Sequence, residues 1–327
     1  MTLAHSTHMK QSSLVLPAVG SALLLVNLTP VSACDVCAIY SAQQAQGGNG
    51  KGWFGGVAEQ FTHFGSLQDS GHRIDNDVNQ HLDSSVTQIF GGYNFNDQLA
   101  VQFNVPLISR SWVRPRGTVM DHGSLSGVGD VTLIGNYTVY RREKETSTFS
   151  WNLLGGVKFP TGDASRLGED DVPGVTLPDS GIAGHDLALG SGSYDGIIGT
   201  GFFARWKKLM CSGTTQYAIR GTGSFDHKYA NDLTWSGGPG VYLWLKENYT
   251  LTLQAIVSGE VKGKDTVGGV PDDDSAGTIV NVGPQLNLTW SNRLSAQLGA
   301  DLPVIIHNTG LQAVPDYRLR AALTWRF

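Results

Sequence analysis

The chain has 327 residues, a formal net charge of −5 and 16% charged residues. The negative balance excludes the strongly basic composition of a nucleic-acid-binding protein, so no nucleic-acid partner is expected. This charge content is low for a soluble surface but suits a chain with one face in lipid. The mean hydropathy is −0.12, and beyond residue 33 no apolar run reaches the roughly 20 residues of a membrane-crossing helix. A membrane protein of this composition is therefore expected to cross with strands.

Residues 1–33 show the three parts of a secretory signal peptide. Lys10 supplies the basic start, Leu14 to Leu28 is apolar, and Val31-Ser32-Ala33 is a small-residue cleavage site. The mature chain is therefore expected beyond the inner membrane, where disulfides are permitted. Residues 34–52 are rich in Gln, Gly and Ala, which predicts a flexible periplasmic segment.

Cys34 and Cys37 form a C-D-V-C pattern at the start of the mature chain. One hypothesis is a disulfide or redox pair; the other is lipidation of Cys34, because Val31-Ser32-Ala33-Cys34 resembles a lipobox. Covalent haem requires His after the second Cys, whereas Ala38 stands there. Zinc is disfavoured because no second ligand pair lies nearby, so no cofactor is predicted.

Between residues 53 and 327 many segments show apolar residues at every second position. Leu294, Ala296, Leu298, Ala300 and Leu302, for example, alternate with Ser, Gln, Gly and Asp. Residues two apart share a face of a strand, so each segment predicts a strand with two different faces. Twelve strands are predicted, at 53–64, 81–95, 98–112, 129–142, 147–160, 194–206, 209–224, 232–246, 249–262, 277–290, 293–307 and 314–327.

The links between these strands alternate between short and mostly long. The short links are 96–97, 143–146, 207–208, 247–248 and 291–292, and the others are 65–80, 113–128, 161–193, 225–231, 263–276 and 308–313. Tight periplasmic turns and long outer loops are typical of outer-membrane barrels. The fold class predicted is therefore all-β, a single antiparallel transmembrane β-barrel of about twelve strands over 53–327, in the outer membrane with its lipid and lipopolysaccharide.

Aromatic residues lie near the predicted strand ends, as in the interfacial girdles of membrane proteins. On the short-turn side these are Trp206, Trp244, Tyr249, Trp290 and Trp325, and on the long-loop side Trp112, Tyr194 and Trp235. The last strand ends the chain at Phe327 with aromatic and aliphatic residues on one face. It resembles the C-terminal targeting signal of bacterial outer-membrane proteins, which implies recognition by the barrel-assembly machinery.

Three segments carry a more specific resemblance. They are Ser126-Gly127-Val128-Gly129-Asp130-Val131, Gly156-Val157-Lys158-Phe159-Pro160-Thr161-Gly162-Asp163 and Leu189-Gly190-Ser191-Gly192-Ser193-Tyr194-Asp195. Together they resemble the outer-membrane channel family associated with phenol meta-cleavage pathways, over about 125–200 in detail. The third segment departs slightly, with Tyr194 near a position where Thr is common. The resemblance implies a channel for small molecules, with aromatic or apolar compounds suggested by the family's name.

The Gly-Asp motifs are not followed by the G-K-[ST] of a phosphate loop. Glycine near a strand end gives tight turns and bulges at barrel rims, and Asp caps turns by accepting backbone N–H groups. We therefore predict turn or rim roles for Gly129, Asp130, Pro160, Gly162, Asp163 and Asp195, with direct ligand contact as the alternative.

Alternation also predicts which charged side chains face inward. If Leu319 and Leu323 face lipid, the arginines at 318, 320 and 326 face the lumen. The candidate lumen-lining residues are Lys158, Arg220, Arg318, Arg320, Arg326 and Asp301, the last as a partner for an arginine. Such cations favour anions in a channel, but a plug of ion pairs filling a narrow barrel is an equal alternative.

Histidines outside the leader fall in predicted outer loops or at their strand ends. His63, His72, His81, His122 and His185 are candidate metal ligands, with His227 and His307 similarly placed. The simpler interpretation is that they are polar loop residues. The acidic runs 169–171 and 272–274 suggest divalent bridging to lipopolysaccharide or, more simply, solvated loop charge.

The function predicted is passive passage of small molecules, aromatic or anionic ones among them, through a lumen narrowed by an inward fold of 161–193. One alternative is metal binding or docking of a periplasmic redox partner through the C-x-x-C and the loop histidines. A second is a rim hydrolase, for which Ser180 and His185 are the nearest pair. No catalytic residue is predicted, and the chain is not expected to be an enzyme.

Overall fold

The computed structural model describes residues 51–169, 180–291 and 293–327. The predicted signal peptide and the segment with Cys34 and Cys37 lie outside these residues, and their predictions stay as they are. Within the described ranges no helix combines the length and the apolar character needed to cross a membrane.

Twelve long antiparallel strands form a closed barrel in which each strand pairs with its neighbour in the chain and the last pairs with the first. The strands are β1 (Gly52–Asp69), β2 (His81–Asn94), β3 (Leu99–Arg116), β4 (Val131–Lys144), β5 (Ser147–Phe159), β6 (Asp195–Trp206), β7 (Leu209–Ile219), β8 (Asp232–Leu245), β9 (Tyr249–Lys262), β10 (Gly277–Trp290), β11 (Leu294–Asn308) and β12 (Leu311–Arg326). Closure runs from Phe54 opposite Arg326 to Asp69 opposite Leu311. It removes the sheet edges whose unpaired N–H and C=O groups lipid cannot satisfy.

The predicted strand number and fold class are confirmed, and most strand bounds agree within three residues. Short turns arise where the sequence supplies turn chemistry. Between β2 and β3, Asn96 Oδ1 accepts the backbone N–H groups of Gln98 and Leu99, both at 2.8 Å. Between β6 and β7, Lys207 takes a positive φ of 53° in a two-residue turn.

One predicted loop was wrong. Residues 113–128 are not a loop, because β3 continues to Arg116 and pairs with a further strand, Val119–Val128. Gly117, with a positive φ of 68°, makes the tight turn of this hairpin, a conformation that favours glycine. The hairpin extends the barrel wall on the outer side.

The other outer loops contain smaller elements. These are the short strands His72–Ile74, His227–Lys228, Thr266–Val267 and Val270–Pro271, the 3₁₀ turns Ser165–Glu169 and Ser224–Asp226, and one helical turn, α1 (Gly184–Leu187).

The outer wall of the barrel is apolar. Exposed aliphatic and aromatic side chains recur along the outward-facing rows of the long strands, among them Leu99, Phe103, Leu107, Leu133, Leu153, Val157, Ile198, Phe202, Leu253, Leu286, Leu298, Leu319 and Leu323. An apolar exterior around a closed barrel is suited to hydrocarbon and would be costly in water. The chain is therefore an outer-membrane β-barrel with a lipid-contacting wall.

Tryptophans mark the short-turn end of this wall. Trp53, Trp206, Trp244, Trp290 and Trp325 are all exposed there, as expected of an interfacial girdle. The prediction for Trp112 was wrong, because its side chain is 3% exposed and points into the barrel. Position 112 belongs to the inward-facing row of β3.

Candidate functional site

The barrel interior is polar over most of its height. Buried inward-facing residues include Gln60, Thr62, Gln88, Asn104, Thr132, Asn152, Thr214, Gln216, Thr252, Gln254, Asn281, Gln285, Asn287 and Gln297. Some bond to one another across strands: Asn104 Nδ2 donates to Thr132 Oγ1 at 3.0 Å, and Asn287 Nδ2 donates to Thr252 Oγ1 at 3.1 Å. A polar inside with an apolar outside is the arrangement of a membrane barrel that encloses a lumen.

Part of the long link between β5 and β6 folds into the lumen. Leu187 and Ile182 are at most 1% exposed and pack against Leu82 and Trp112 of the barrel wall. Deeper inside, Leu189 packs against a second apolar patch, which includes Ile108. We call residues 180–193 the inward segment. Its apolar side chains cover the inner faces of β2 and β3 and narrow the lumen at its outer end.

The three Gly-Asp motifs hold the inward segment against the wall. A Cβ on Gly162 would lie 2.7 Å from the Leu189 carbonyl oxygen, and one on Gly190 would lie 2.5 Å from the Gly162 carbonyl carbon. A Cβ on Gly129 would lie 3.0 Å from the same Leu189 oxygen. The Leu189 and Gly190 amides both donate to the Asp163 carbonyl oxygen at 3.0 Å. These glycines thus allow backbone to meet backbone at the root of the inward segment.

A buried network of ions joins the same motifs. Lys158 Nζ lies 2.7 Å from carboxylate oxygens of both Asp130 and Asp195. Arg220 bonds Asp195 and Asp232, each at 2.9 Å. Two cations therefore bridge three carboxylates in a continuous chain, which we call the ion network.

The aspartates of the ion network also accept backbone N–H groups. Asp130 accepts from Gly162 at 3.0 Å and from Ser191 at 2.9 Å. Asp195 accepts from Gly221 at 3.0 Å. Asp163, outside the network, accepts from Ser165 at 2.9 Å, and Pro160 stands at the end of β5. The motif aspartates thus fix turns while two of them also neutralise Lys158.

Lower in the lumen a second ion pair joins neighbouring strands. Arg320 Nη2 donates to Asp301 Oδ1, and Arg320 Nε lies equally close to Asp301 Oδ2, both at 2.8 Å. Arg318 lies on the same inward row and is 6% exposed. Arg326 lies nearest the periplasm, among the inward residues of the short-turn end. All six predicted lumen-lining residues thus lie inside the barrel, two in the ion network and four below it.

Cavities lie at three levels of the lumen. The outer cavity lies beside the inward segment, between Arg110 and the upper part of β12. The middle cavity is polar and is lined by Gln60, Arg318 and Arg320. The periplasmic cavity opens among the short turns, beside Arg326. Six Lys or Arg side chains and four Asp or Glu side chains line these three cavities in the described part of the chain.

Ion pairs also anchor the outer loops. Burial alone raises the pKa of the Glu169 carboxyl, but hydrogen bonds from Arg114 and Arg166 more than offset this, and the net pKa is lowered. The Asp265 carboxyl behaves in the same way. Burial raises its pKa, but Lys262, 2.8 Å away, and His227 lower the pKa by more, so that the net pKa lies well below its usual range. Both carboxylates are therefore ionised structural partners near neutral pH.

The candidate histidines are dispersed. His63 Nδ1 lies 2.6 Å from Asp83, and its ring is 6.1 Å from that of His81. His72 and His122 lie elsewhere and are exposed, while His185 is buried and stacks on His227. Among the described residues no group of three or more His, Cys, Asp or Glu side chains is arranged to hold a metal ion.

Ser180, proposed for a rim hydrolase, donates its hydroxyl to the Ile182 carbonyl oxygen at 3.0 Å. The His185 ring lies near Asp186 and Asp272 and stacks on His227. The structure thus gives this serine a turn-forming bond.

Two further inward-facing arginines are functional candidates that were not predicted from the sequence. Arg110 and Arg114 lie on the inward row of β3 and are each 5% exposed. Arg114 bonds Asp121 and Glu169, at 3.0 and 2.6 Å, and so ties the outer hairpin to the β5–β6 link. Extending the alternation of β3 past residue 112 would have placed Arg114 inward, and Arg110 already lay on that row.

No protein-family model and no curated protein matches this chain by sequence. Among solved structures, an outer-membrane channel from Pseudomonas putida F1 is similar, with a TM-score of 0.60 and 18% identity over 85% of this chain and 96% of that one. The translocator domain of the autotransporter NalP from Neisseria meningitidis has a TM-score of 0.40 and 12% identity, over 85% of this chain and 90% of its own. The monoaromatic hydrocarbon channel CymD has a TM-score of 0.36 and 7% identity, over 85% and 90%. The Pseudomonas likeness shows a shared barrel fold, and the other two are weak.

Proposed function

We propose that the protein is an outer-membrane channel for passive passage of small solutes, with a modest preference for anions. The observation that carries the proposal is the lumen itself: a polar interior with cavities at three levels, lined by more cations than carboxylates. Positive groups along a narrow path attract anions and repel cations. The inward segment restricts the outer end, so the conductance is expected to be small.

The barrel size supports restricted passage. Side chains fill a barrel of about 8 strands, whereas barrels of 16–18 leave a wide aqueous channel. Twelve strands stand between these limits, and here the inward segment occupies part of the space. The resemblance to channels of phenol meta-cleavage pathways adds small aromatic solutes to the candidates.

The test is electrical recording from the refolded mature chain in a planar bilayer. A salt gradient across the bilayer gives the ion selectivity from the reversal potential. Steady, small steps with an anion-selective reversal potential support the proposal. A folded barrel that stays silent supports the plugged alternative and contradicts the channel.

A further inference from the structure

The outer cavity contains a buried cation whose charge the described protein groups leave unmatched. Arg110 lies on the inward row of β3 and is 5% exposed. It lines the outer cavity, and its Nε and Nη1 atoms have no hydrogen-bond partner in the described part of the chain.

Other buried arginines of the lumen differ from Arg110 in this respect. Arg114 bonds Asp121 and Glu169, Arg220 bonds Asp195 and Asp232, and Arg320 bonds Asp301. Burying a charged group without a partner is costly, so such a group is matched by a ligand or ion when the site works. A guanidinium presents a planar fork of N–H donors that fits a carboxylate with two parallel hydrogen bonds.

The other charged groups of the cavity are already engaged. Lys262 lies 2.8 Å from Asp265, in the outer loop that follows β9. Asp186 accepts the Ala183 amide at 2.9 Å and lies 3.6 Å from the His185 ring. A second carboxylate on a ligand would meet the negative charge of Asp186, so the cavity favours a single carboxylate.

Apolar side chains form one part of the rest of the cavity wall, and polar groups of His185, Tyr229, His307, Asn308 and Gln312 form the other. The apolar part comprises Phe64, Leu82, Ile182, Ile279, Ile306, Ala313, Val314 and Pro315. These side chains come from the barrel wall and from the inward segment, which closes the cavity on one side. Such a wall binds a compact hydrocarbon group by the hydrophobic effect.

We propose that this cavity is a binding site for a small monocarboxylate with an apolar body, whose carboxylate pairs with Arg110. The inference rests on the proposed function and deepens it, since it names the class of solute that the channel selects at its outer end. The carboxylate sits at the Arg110 guanidinium, and the apolar body lies among the side chains of β1, β2, β10 and β12.

The test is isothermal titration calorimetry of the refolded mature chain in non-ionic detergent, with benzoate as the probe and benzamide as its neutral analogue. Charge-assisted hydrogen bonds of this kind predict that Arg110→Gln weakens benzoate binding by at least about tenfold and leaves benzamide binding unchanged. Arg110→Lys keeps the positive charge but loses the planar fork of donors, so its benzoate affinity is expected to lie between those of the unaltered chain and Arg110→Gln. Arg142→Gln, at an exposed arginine on the periplasmic end of β4, is the matched control and should bind like the unaltered chain.

Heat-modifiable migration in gels shows that each variant is folded. If Arg110→Gln does not fold, Ala313→Leu takes its place, because it fills the cavity while leaving Arg110 intact, and it should abolish benzoate binding. Equal benzoate affinity in the unaltered chain and in the folded variant overturns the proposal, as does absence of binding to the unaltered chain.

Conductance measured on the same preparation separates the two proposals. A conducting barrel that does not bind benzoate contradicts this site and leaves the channel function standing. A silent barrel that binds benzoate through Arg110 supports the site and contradicts passage.

Discussion

Lys158 Nζ and Asp195 Oδ2 lie 2.7 Å apart on the neighbouring strands β5 and β6. Both are buried inside the barrel, at the point where the inward segment ends and β6 begins. The same nitrogen bonds Asp130, whose carboxylate accepts the Ser191 amide of the inward segment. One lysine thus connects two strands and the segment that narrows the lumen. The inward segment is therefore attached to the barrel wall through Lys158 and Asp130.

Removing this cation should destabilise the barrel strongly. Lys158→Met leaves two buried carboxylates without their shared partner, and breaking a buried ion pair in this way costs about 3–5 kcal/mol in the free energy of unfolding. Urea or guanidinium unfolding in detergent or lipid measures the loss. Lys208→Met, at an exposed lysine in the β6–β7 turn, should leave the unfolding midpoint unchanged. Equal midpoints for the two variants would show that the ion network contributes little.

Loosening the inward segment should widen the channel. Leu187 is 0% exposed and packs against Leu82 and Trp112, so Leu187→Asn replaces its apolar contacts with a buried amide that lacks partners. We expect larger or noisier single-channel steps from a barrel that is still folded. Val270→Asn, at an exposed apolar loop residue, is the control and should conduct like the unaltered chain. Identical steps from both variants would mean that the segment does not limit passage.

The pair formed by Arg320 and Asp301 allows two opposite changes of lumen charge. Arg320→Gln removes a positive charge and should move the reversal potential towards cation selectivity. Asp301→Asn removes the negative partner and should move it towards anion selectivity. Reversal potentials in a salt gradient measure both shifts. Shifts of the same sign in the two variants would contradict an electrostatic role for the middle lumen.

The outer loop around Asp265 should tolerate mild acid. Its folded pKa lies below the unfolded value of about 3.9, so its contribution to stability is present above that value and is lost as the pH falls through the folded pKa. Backbone amides of residues 263–276 should therefore remain protected from hydrogen exchange at about pH 4. The Asp265→Asn variant lacks the carboxylate charge, so its amides in this loop should be unprotected both at about pH 4 and at neutral pH. Protection in the variant equal to that of the unaltered chain would exclude the ion pair as the anchor.

Phe327, which follows β12, offers a test of assembly. Phe327 is 78% exposed, and its backbone N–H donates to the Trp53 carbonyl oxygen at 2.9 Å. We propose that the barrel-assembly machinery recognises β12 with this residue. Phe327→Ala should lower the amount of folded barrel in the outer membrane of cells while leaving refolding in detergent unaffected. A fall in both would assign Phe327 a structural role.

The barrel could be predicted from sequence because alternation and turn chemistry are local properties. Leu298 and Leu319 face lipid and Arg320 faces the lumen for the same reason, the period of two residues along a strand. The predicted end of β3 at residue 112 is too early, because the strand continues to Arg116 and forms a hairpin with Val119–Val128. Gly117 was the available indication of that turn.

The contacts inside the lumen could not be predicted, because they join residues distant in sequence. Alternation placed Lys158 and Arg220 inward but gave no means of choosing their partners, which come from three separate segments. The glycines and small residues of 161–193 predict an inward fold. That Leu187 meets Trp112, and that Arg110 remains without a partner among the described residues, depends on packing of the whole chain.

The most direct test of the channel proposal is single-channel recording of the refolded mature chain across a salt gradient. The structure predicts small, steady conductance steps with a modest anion preference, and a shift of that preference towards cations in Arg320→Gln. A heat-modifiable, folded barrel that passes no current, or one that prefers cations, would contradict it.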